Sequence, residues 1–331
     1  MLSRRTLVSA ALAAPLAPVA GAALAADPAA TDLPAAVQAT FAPMGDLPGV
    51  KSCFLIGEGP KGSWQGGLEP ERPMFIGSAF KTFVLAQVLR AVEAGTLNEN
   101  DPWAVDDAVR NSGSQTLEKL TGSTTARCVL EAMITHSDNT ATDISLAKAG
   151  PDTVRALIRE AGLGSVRIPD STRRMVSYIA GAPVGTDIGW AGVEKLASGW
   201  LPGTPRPPIN DVSTMMASMA DMVSWYRQAL TGTFFRKPQT LVEYKRILSM
   251  ADALAVVVPD GLAAYGKGGS IQWQDFNCFS LAGQMVVGAG RVTFGFNVNW
   301  TGPESGIPAV FADFAKSVAE TLRAAAAGTK A

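Results

Sequence analysis

The chain has 331 residues, of which 47% are hydrophobic and 17% charged, and its formal net charge at pH 7 is −1. This length is enough to bury a large core in one or two domains. The charge balance is near neutral, with neither a basic run nor an acidic tail, and therefore gives no electrostatic footprint for nucleic acid. We expect a soluble globular protein of enzyme size.

The first 26 residues have the composition of an export signal. Arg4 and Arg5 precede a stretch rich in alanine, leucine, valine and proline, and Ala23-Leu24-Ala25 is a small-residue cleavage pattern. The arginine pair favours the twin-arginine pathway, and an ordinary secretory signal is the alternative. We predict a signal peptide over 1–26 and one domain over 27–331, in a periplasmic or secreted protein without stable membrane insertion.

The rest of the chain places a helix-rich middle between two strand-forming ends. Residues 98–122 read as loop with a short helix, and 163–212 as irregular structure with many prolines. The architecture predicted is α/β, with a sheet subdomain over 33–77 and 255–331 and an all-α subdomain over 78–254. Hydrophobic periodicity and turn residues predict helices at 33–41, 80–92, 126–135, 140–148, 154–162, 213–230, 241–251 and 308–326, and strands at 50–57, 62–67, 264–273, 277–288 and 291–300.

The helix predicted at 80–92 is apolar almost all round, which indicates a buried helix. Ser78 and Lys81 are three residues apart at its start and therefore share a face of the first turn. Desolvation and the positive end of the helix push the amine of Lys81 toward its neutral form. A neutral amine can take a proton from a serine hydroxyl and so create a nucleophile. A capping serine beside a solvated lysine is the alternative.

The cysteines and the single histidine limit the other chemistries. Cys53, Cys128 and Cys278 form an odd set without metal-ligand spacing. We expect buried free thiols, and a single disulfide between two of them is the alternative. His136 alone cannot supply the ligands of a zinc hydrolase, and we expect its ring to point away from the site. We therefore predict neither a metal nor another cofactor.

Three motifs follow one another in the chain, namely Ser78-x-x-Lys81, Ser137-Asp138-Asn139 and Lys267-Gly268-Gly269. Ser-x-x-Lys, Ser-Asp-Asn and Lys-Thr-Gly, in this order, are the motif set of class A β-lactamases and penicillin-binding proteins. The chain resembles that superfamily of serine hydrolases over nearly all of its mature length. The resemblance implies the β-lactamase/transpeptidase-like fold, an antiparallel sheet flanked by helices plus an all-α subdomain.

The resemblance also implies a role for each residue of the motifs. Ser78 would attack an acyl carbonyl, Lys81 would be the base, and Ser137 would relay the proton to the leaving group. The backbone N–H groups of Ser78 and Ser270 would form the oxyanion hole. The implied substrate-binding residues are Asn139, Lys267, Gly269 and Ser270.

Two departures from the family pattern put efficient β-lactam hydrolysis in doubt. The loop expected to carry the deacylating glutamate falls near 169–177 and contains none, Asp170 being its nearest carboxylate. Gly268 stands where the family has a threonine or serine that contacts the substrate carboxylate. Residues 167–174 also resemble the β-lactamase-like hydrolase of the clavulanic acid cluster. We expect Arg173 and Arg174 to form a solvated loop face, and binding of an anionic substrate group is the alternative.

These observations predict an exported serine acyl-hydrolase that acts through a Ser78 acyl-enzyme on a β-lactam, an ester or a small amide. If Lys81 serves both half-reactions, esters are better substrates than β-lactams. The alternative is a covalent β-lactam-binding or sensing protein, or a DD-peptidase-like enzyme with slow deacylation.

Overall fold

The structure is a computed structural model that describes residues 32–330, so the predicted signal peptide lies outside the described residues. Its helices are α1 Ala35–Ala39, α2 Phe41–Gly45, α3 Lys81–Glu93, α4 Ala126–Thr135, α5 Asn139–Ala149, α6 Pro151–Glu160, α7 Thr172–Ile179, α8 Gly189–Ala197, α9 Met219–Ala229, α10 Pro238–Leu248, α11 Asp252–Ala255 and α12 Ile307–Lys330. Its strands are β1 Val50–Gly59, β2 Gly62–Leu68, β3 Met74–Phe75, β4 Pro102–Val105, β5 Gly122–Thr125, β6 Met216–Ala217, β7 Ala264–Trp273, β8 Phe276–Val287 and β9 Gly290–Thr301.

The main sheet has five strands in the order β2-β1-β9-β8-β7, and every neighbouring pair is antiparallel. Two strands come from the beginning of the chain and three from its end, as the sequence predicts. Helix α9 packs on β1, β8 and β9, and α12 also packs on these strands. The antiparallel sheet with flanking helices is therefore confirmed. The predicted subdomain limits at 77/78 and 254/255 stay a prediction.

Helix α3 lies at the centre of the helical part and contacts α4, α5, α6 and α10. Its residues Phe83, Val84 and Leu85 are fully buried, which confirms the prediction of a buried helix. One polar contact also fixes it inside the core. Thr82 Oγ1 lies 2.7 Å from Tyr244 OH and accepts a hydrogen bond of 3.0 Å from Trp225 Nε1. Three helices are thereby joined one residue after Lys81.

The structure corrects several local predictions. The segment 163–212 contains α7 and α8, and 98–122 contributes the short strand pair β4–β5. The helix predicted at 213–230 begins at Met219 and is capped by Ser218, and the one predicted at 154–162 begins at Pro151. The helix predicted at 33–41 is split into α1 and α2.

The three cysteines are free, as expected, but only Cys53 and Cys278 are buried. Cys128 is exposed on α4, so the expectation of burial is wrong for this residue. Within residues 32–330, no helix combines the length and apolar character needed to span a bilayer.

Candidate active site

The segment that leads into Ser78 is fixed by polar side chains of the sheet. The carbonyl of Phe75 accepts hydrogen bonds from Asn297 Nδ2 at 2.9 Å and from Asn299 Nδ2 at 3.0 Å. Ser280 Oγ donates to the next carbonyl along the chain at 2.6 Å. Buried polar groups need such partners, and here they hold one stretch of backbone in place. The sheet thus sets the position of the residue that would be the nucleophile.

Ser78 lies in a 3-10 turn, Gly77–Phe80, that runs directly into α3. Ser78 is partly exposed, whereas the other residues of the turn, Gly77, Ala79 and Phe80, are buried. Ser78 Oγ forms no hydrogen bond with another residue in the range 32–330. Catalytic hydrogen bonds are often long in free enzymes and shorten when the substrate binds. The hydroxyl is therefore accessible to a substrate, one turn before Lys81.

Lys81 is fully buried and its amine is surrounded by oxygen acceptors. Nζ donates to Ser137 O at 2.6 Å and to Asn139 Oδ1 at 2.9 Å, and Ser137 Oγ lies at 3.3 Å. A neutral amine has two N–H groups, and the two shorter contacts use both of them. The lone pair then stays available for a proton from a neighbouring hydroxyl.

The electrostatic surroundings favour the neutral amine. Burial lowers the pKa of Lys81 well below its usual range, and the positive charge of Lys267 lowers it further. The carboxylates of Asp138 and Asp143 act in the opposite direction. Desolvation is the largest of these effects, as expected for a lysine without contact with water. The lowered pKa favours the uncharged amine, the form that a general base requires.

Ser137 reaches Lys81 because of an unusual backbone conformation. Its φ is +58°, in the left-handed region that non-glycine residues rarely adopt. The next residue, Asp138, caps α5 by accepting from Ala141 N at 2.8 Å, and its other oxygen accepts from Leu117 N at 2.9 Å. The cap and the bend together direct both the carbonyl and the hydroxyl of Ser137 at Lys81.

Strand β7 closes the site on the other side and approaches the 3-10 turn very closely. A Cβ built on Gly77 would lie 2.8 Å from Ser270 N, and one built on Gly269 would lie 2.1 Å from Ile76 O. Only glycine fits at such contacts. The backbone of Ser270 is thereby held beside the residue that precedes Ser78, where two N–H groups can face one oxyanion.

Lys267 is the cationic residue of this strand edge. It is 2% exposed, lines the same cleft as Ser137, and donates from Nζ to Gly268 O at 2.9 Å. Burial lowers its pKa from 10.5 to about 8, although the carboxylate of Asp252 opposes the shift. At neutral pH the side chain is therefore charged and lies beside the proposed proton relay.

The surroundings of Gly268 explain why a hydroxyl-bearing residue is absent there. A Cβ at this position would lie 2.7 Å from the Cβ of Ala253 in α11. The same helix places Asp252 on the cleft, 3.7 Å from His136 Nδ1. His136 is thus turned to the rim of the cleft and not to Lys81.

Asp170, the carboxylate nearest to the expected glutamate position, is paired with two arginines. Asp170 forms ion pairs with Arg155 at 2.6 Å and with Arg174 at 3.8 Å, and its side chain is half exposed. Asp143 acts electrostatically on Lys81, as Asp138 does. Its own hydrogen bonds hold the start of α7. It accepts from Thr172 N at 2.6 Å and from Arg173 N at 3.1 Å. Burial raises the pKa of Asp143.

Arg173 is not part of a solvated loop face, contrary to expectation. It is 6% exposed, bonds Asp187 through Nε at 2.7 Å and Nη2 at 2.9 Å, and also donates to the backbone carbonyls of Asp107 and Arg110. This fork fixes α7 and the loop after it. Arg174 is about half exposed, so the expectation holds for this residue.

The structure therefore brings together every residue that the sequence singles out for the site. Lys81, Ser137 and Asn139 are hydrogen-bonded, Ser137, Lys267, Gly269 and Ser270 line one cleft, and Ser78 lies next to Ser270 in space. Sequence reasoning missed the positioning residues Ser280, Asn297 and Asn299. A sequence signal for the two asparagines exists, because they alternate with Phe296 and Val298 in a part of β9 whose positions are all buried.

Comparison with known proteins agrees with this geometry. A sequence model of the beta-lactamase enzyme family matches residues 56–272. No curated protein matches the sequence.

Among solved structures, PBP-A has a TM-score of 0.68 at 16% identity, covering 90% of this chain and 98% of its own. A beta-lactamase from Sphaerobacter thermophilus has a TM-score of 0.66 at 19% identity, covering 88% and 96%. A beta-lactamase from Chitinophaga pinensis has a TM-score of 0.68 at 16% identity, covering 88% and 98%. At these identities the likeness shows the fold.

Proposed function

The chain belongs to the beta-lactamase enzyme family, and we propose that it is an exported serine acyl-hydrolase that forms an acyl-enzyme on Ser78. The observation that carries the proposal is the buried amine of Lys81, which is bonded to Ser137 and Asn139 one helical turn after Ser78. Its substrates are β-lactams, esters or small amides, all of which present a carbonyl to a serine nucleophile.

The geometry supports an acylation step in which Lys81 is the base. Lys81 takes the proton of Ser78 Oγ, and the alkoxide attacks the acyl carbon. The N–H groups of Ser78 and Ser270 stabilise the oxyanion, an effect worth about 3–4 kcal/mol per donor in other enzymes. The proton then passes from Lys81 through Ser137 Oγ to the leaving group, which departs neutral. Lys81 is again uncharged at the end of this half-reaction.

Deacylation depends on the same base. A water molecule attacks the acyl carbon while Lys81 accepts its proton, and that proton returns to Ser78 Oγ as the acid leaves. No glutamate is present near 169–177, and Asp170 is directed at Arg155. Because Lys81 is the only base proposed for deacylation, we expect multiple turnover with esters and slow or absent turnover with β-lactams.

The same observation favours a second candidate function, a protein that binds β-lactams covalently and releases them slowly. A mutant of the structural neighbour PBP-A is described as an acyl-enzyme complex with penicillin G, so this fold can hold such an adduct. A DD-peptidase-like enzyme with slow deacylation belongs to the same class.

Turnover assays distinguish these functions. We expect p-nitrophenyl ester hydrolysis with multiple turnover, slow or absent nitrocefin hydrolysis, and complete loss of ester hydrolysis in Ser78→Ala. A persistent penicillin adduct by intact mass, together with no ester turnover, would favour the covalent binder. Wild-type ester hydrolysis in Ser78→Ala would refute the mechanism.

Export through the twin-arginine pathway is part of the proposal and rests on residues 1–26. Fusing these residues to a reporter that folds before export should place it in the periplasm, and Arg4→Lys combined with Arg5→Lys should retain it inside. Equal export of both fusions would point to the ordinary secretory pathway.

A further inference from the structure

The cleft beside Lys267 continues away from the catalytic groups into an apolar channel. It begins at Ser137 and Lys267, has a volume of about 190 Å³, and runs between α11 and α12. Its far walls are formed by Val256 next to α11 and by Phe311 and Phe314 of α12. The polar end and the apolar walls form one continuous cavity.

Two of the apolar side chains that line the cavity are exposed to solvent. Val256 is 53% and Phe311 45% exposed, although both are large apolar side chains. Exposed apolar side chains that line a cavity together are a common feature of ligand sites. Since Ser137 would protonate the leaving group, the cavity that opens beside it receives that part of the substrate.

The charges of the cavity are poorly suited to a carboxylate. Among its lining residues Lys267 is the only cation, and it already donates to Gly268 O. Asp252 contributes a negative charge to the same lining. Ala253 occupies the space in which a side chain at position 268 would lie, so a hydroxyl donor cannot be placed there. Lys267 has two further N–H groups, but its charge is balanced by the carboxylate of Asp252, so the lining offers an anionic leaving group no net positive charge.

We propose that this cavity is the leaving-group subsite and that it selects an uncharged, bulky apolar group, such as an aryl or a branched alkyl alcohol. The inference rests on the proposed function and names its substrate class. In the reaction the bond from Ser78 Oγ to the acyl carbon forms while the bond from that carbon to the leaving oxygen breaks. The oxygen takes its proton through Ser137, and water later releases the acid.

A matched pair of esters tests the charge preference. The acetates of 4-tert-butylphenol and of 4-hydroxyphenylacetic acid have phenols of similar acidity, and only the second carries a carboxylate. We expect kcat/KM to be at least about tenfold higher for the tert-butyl ester, a typical discrimination between pocket contacts. Asp252→Asn should reduce the preference severalfold. Equal rates, or a preference for the carboxylate, would overturn the inference.

A matched pair of variants tests the location. Val256→Ala removes two methyl groups from the cavity wall, and Val242→Ala makes the same change on α10, at a 66% exposed position outside the cavity. Val256→Ala should lower the rate ratio of tert-butylphenyl to phenyl acetate by about three- to tenfold, and Val242→Ala should leave the ratio unchanged. An unchanged ratio in Val256→Ala would refute the assignment.

Labelling with a small fluorophosphonate distinguishes a failure of the subsite proposal from a failure of the proposed function. Its leaving group is fluoride, which needs no apolar subsite. Labelled Ser78 with no preference between the esters would overturn the subsite and leave the proposed function intact. An unlabelled Ser78 without ester turnover would overturn both.

Discussion

Replacing Lys267 with methionine should make the protein more stable and much less active. In the folded protein burial lowers the pKa of Lys267 from 10.5 to about 8. Each unit of pKa corresponds to about 1.4 kcal/mol, so keeping the ammonium charged in the folded state at pH 7 costs about 3 kcal/mol. Loss of the hydrogen bond to Gly268 O returns about 1 kcal/mol of this. We expect Lys267→Met to raise the free energy of unfolding by about 2 kcal/mol.

The stability gain of Lys267→Met should depend on pH, whereas a gain from better packing alone would not. Because the pKa of Lys267 is lower in the folded state, the unfolded chain binds more protons between pH 8 and 10.5. The wild-type protein therefore gains stability over this range, and the advantage of Lys267→Met shrinks as the pH rises. The advantage is complete below pH 8, where the side chain is charged in both states.

Urea unfolding of both proteins at pH 7 and pH 10 measures the difference. Lys316→Met, the same exchange at an exposed position of α12, is the control and should change stability little at either pH. Acylation by an activated ester should fall by about a hundredfold in Lys267→Met because a charge beside the reacting groups is lost. A destabilised variant, or a stability difference independent of pH, would refute the reasoning.

Three further predictions concern the close contact between Gly77 and β7, the pH dependence of turnover, and the ion pair of Arg173. Gly77→Ala should slow acylation at least tenfold, because its Cβ would lie 2.8 Å from the β7 backbone; Gly95→Ala, also at positive φ but with no neighbour within 4 Å, should keep the wild-type rate. Turnover should decline above about pH 8 as Lys267 loses its proton, and Lys267→Arg should move this decline to higher pH in a pH–rate profile. Arg173→Ala should lower the free energy of unfolding by about 3–5 kcal/mol, whereas Arg174→Ala should change it by less than about 0.5 kcal/mol in the same urea titration; equal effects would contradict the buried fork.

The main sheet could be predicted because its information is local. Apolar patterns and turn residues mark β1, β2, β7, β8 and β9 within a few residues of their ends. The catalytic motifs are equally local, since two residues separate Ser78 from Lys81 and one separates Ser137 from Asn139.

The rest depends on contacts between distant parts of the chain. Helices α7 and α8 lie in a proline-rich stretch, and Arg173 stabilises it through Asp187 and carbonyls near 107–110. Nothing next to Arg173 in the sequence distinguishes it from Arg174. From the sequence alone, Gly268 is a position at which the hydroxyl of the family motif is missing. The structure gives the reason, because Ala253 occupies the space that a side chain at this position would need.

Other predictions were not tested by the structure. Export, the location in the periplasm and the absence of nucleic-acid and membrane partners remain predictions from composition and from residues 1–26. The chemical roles of Ser78, Lys81 and Ser137 also remain predictions, supported by their arrangement.

The identity of the nucleophile can be measured by covalent labelling and peptide mapping. The wild-type protein, Ser78→Ala and Ser137→Ala would each be treated with a fluorophosphonate, followed by intact mass over time and digestion. A single adduct on the peptide that contains Ser78, formed by the wild-type protein and absent from Ser78→Ala, is the result we predict. An adduct on another residue, or unchanged labelling of Ser78→Ala, would contradict it.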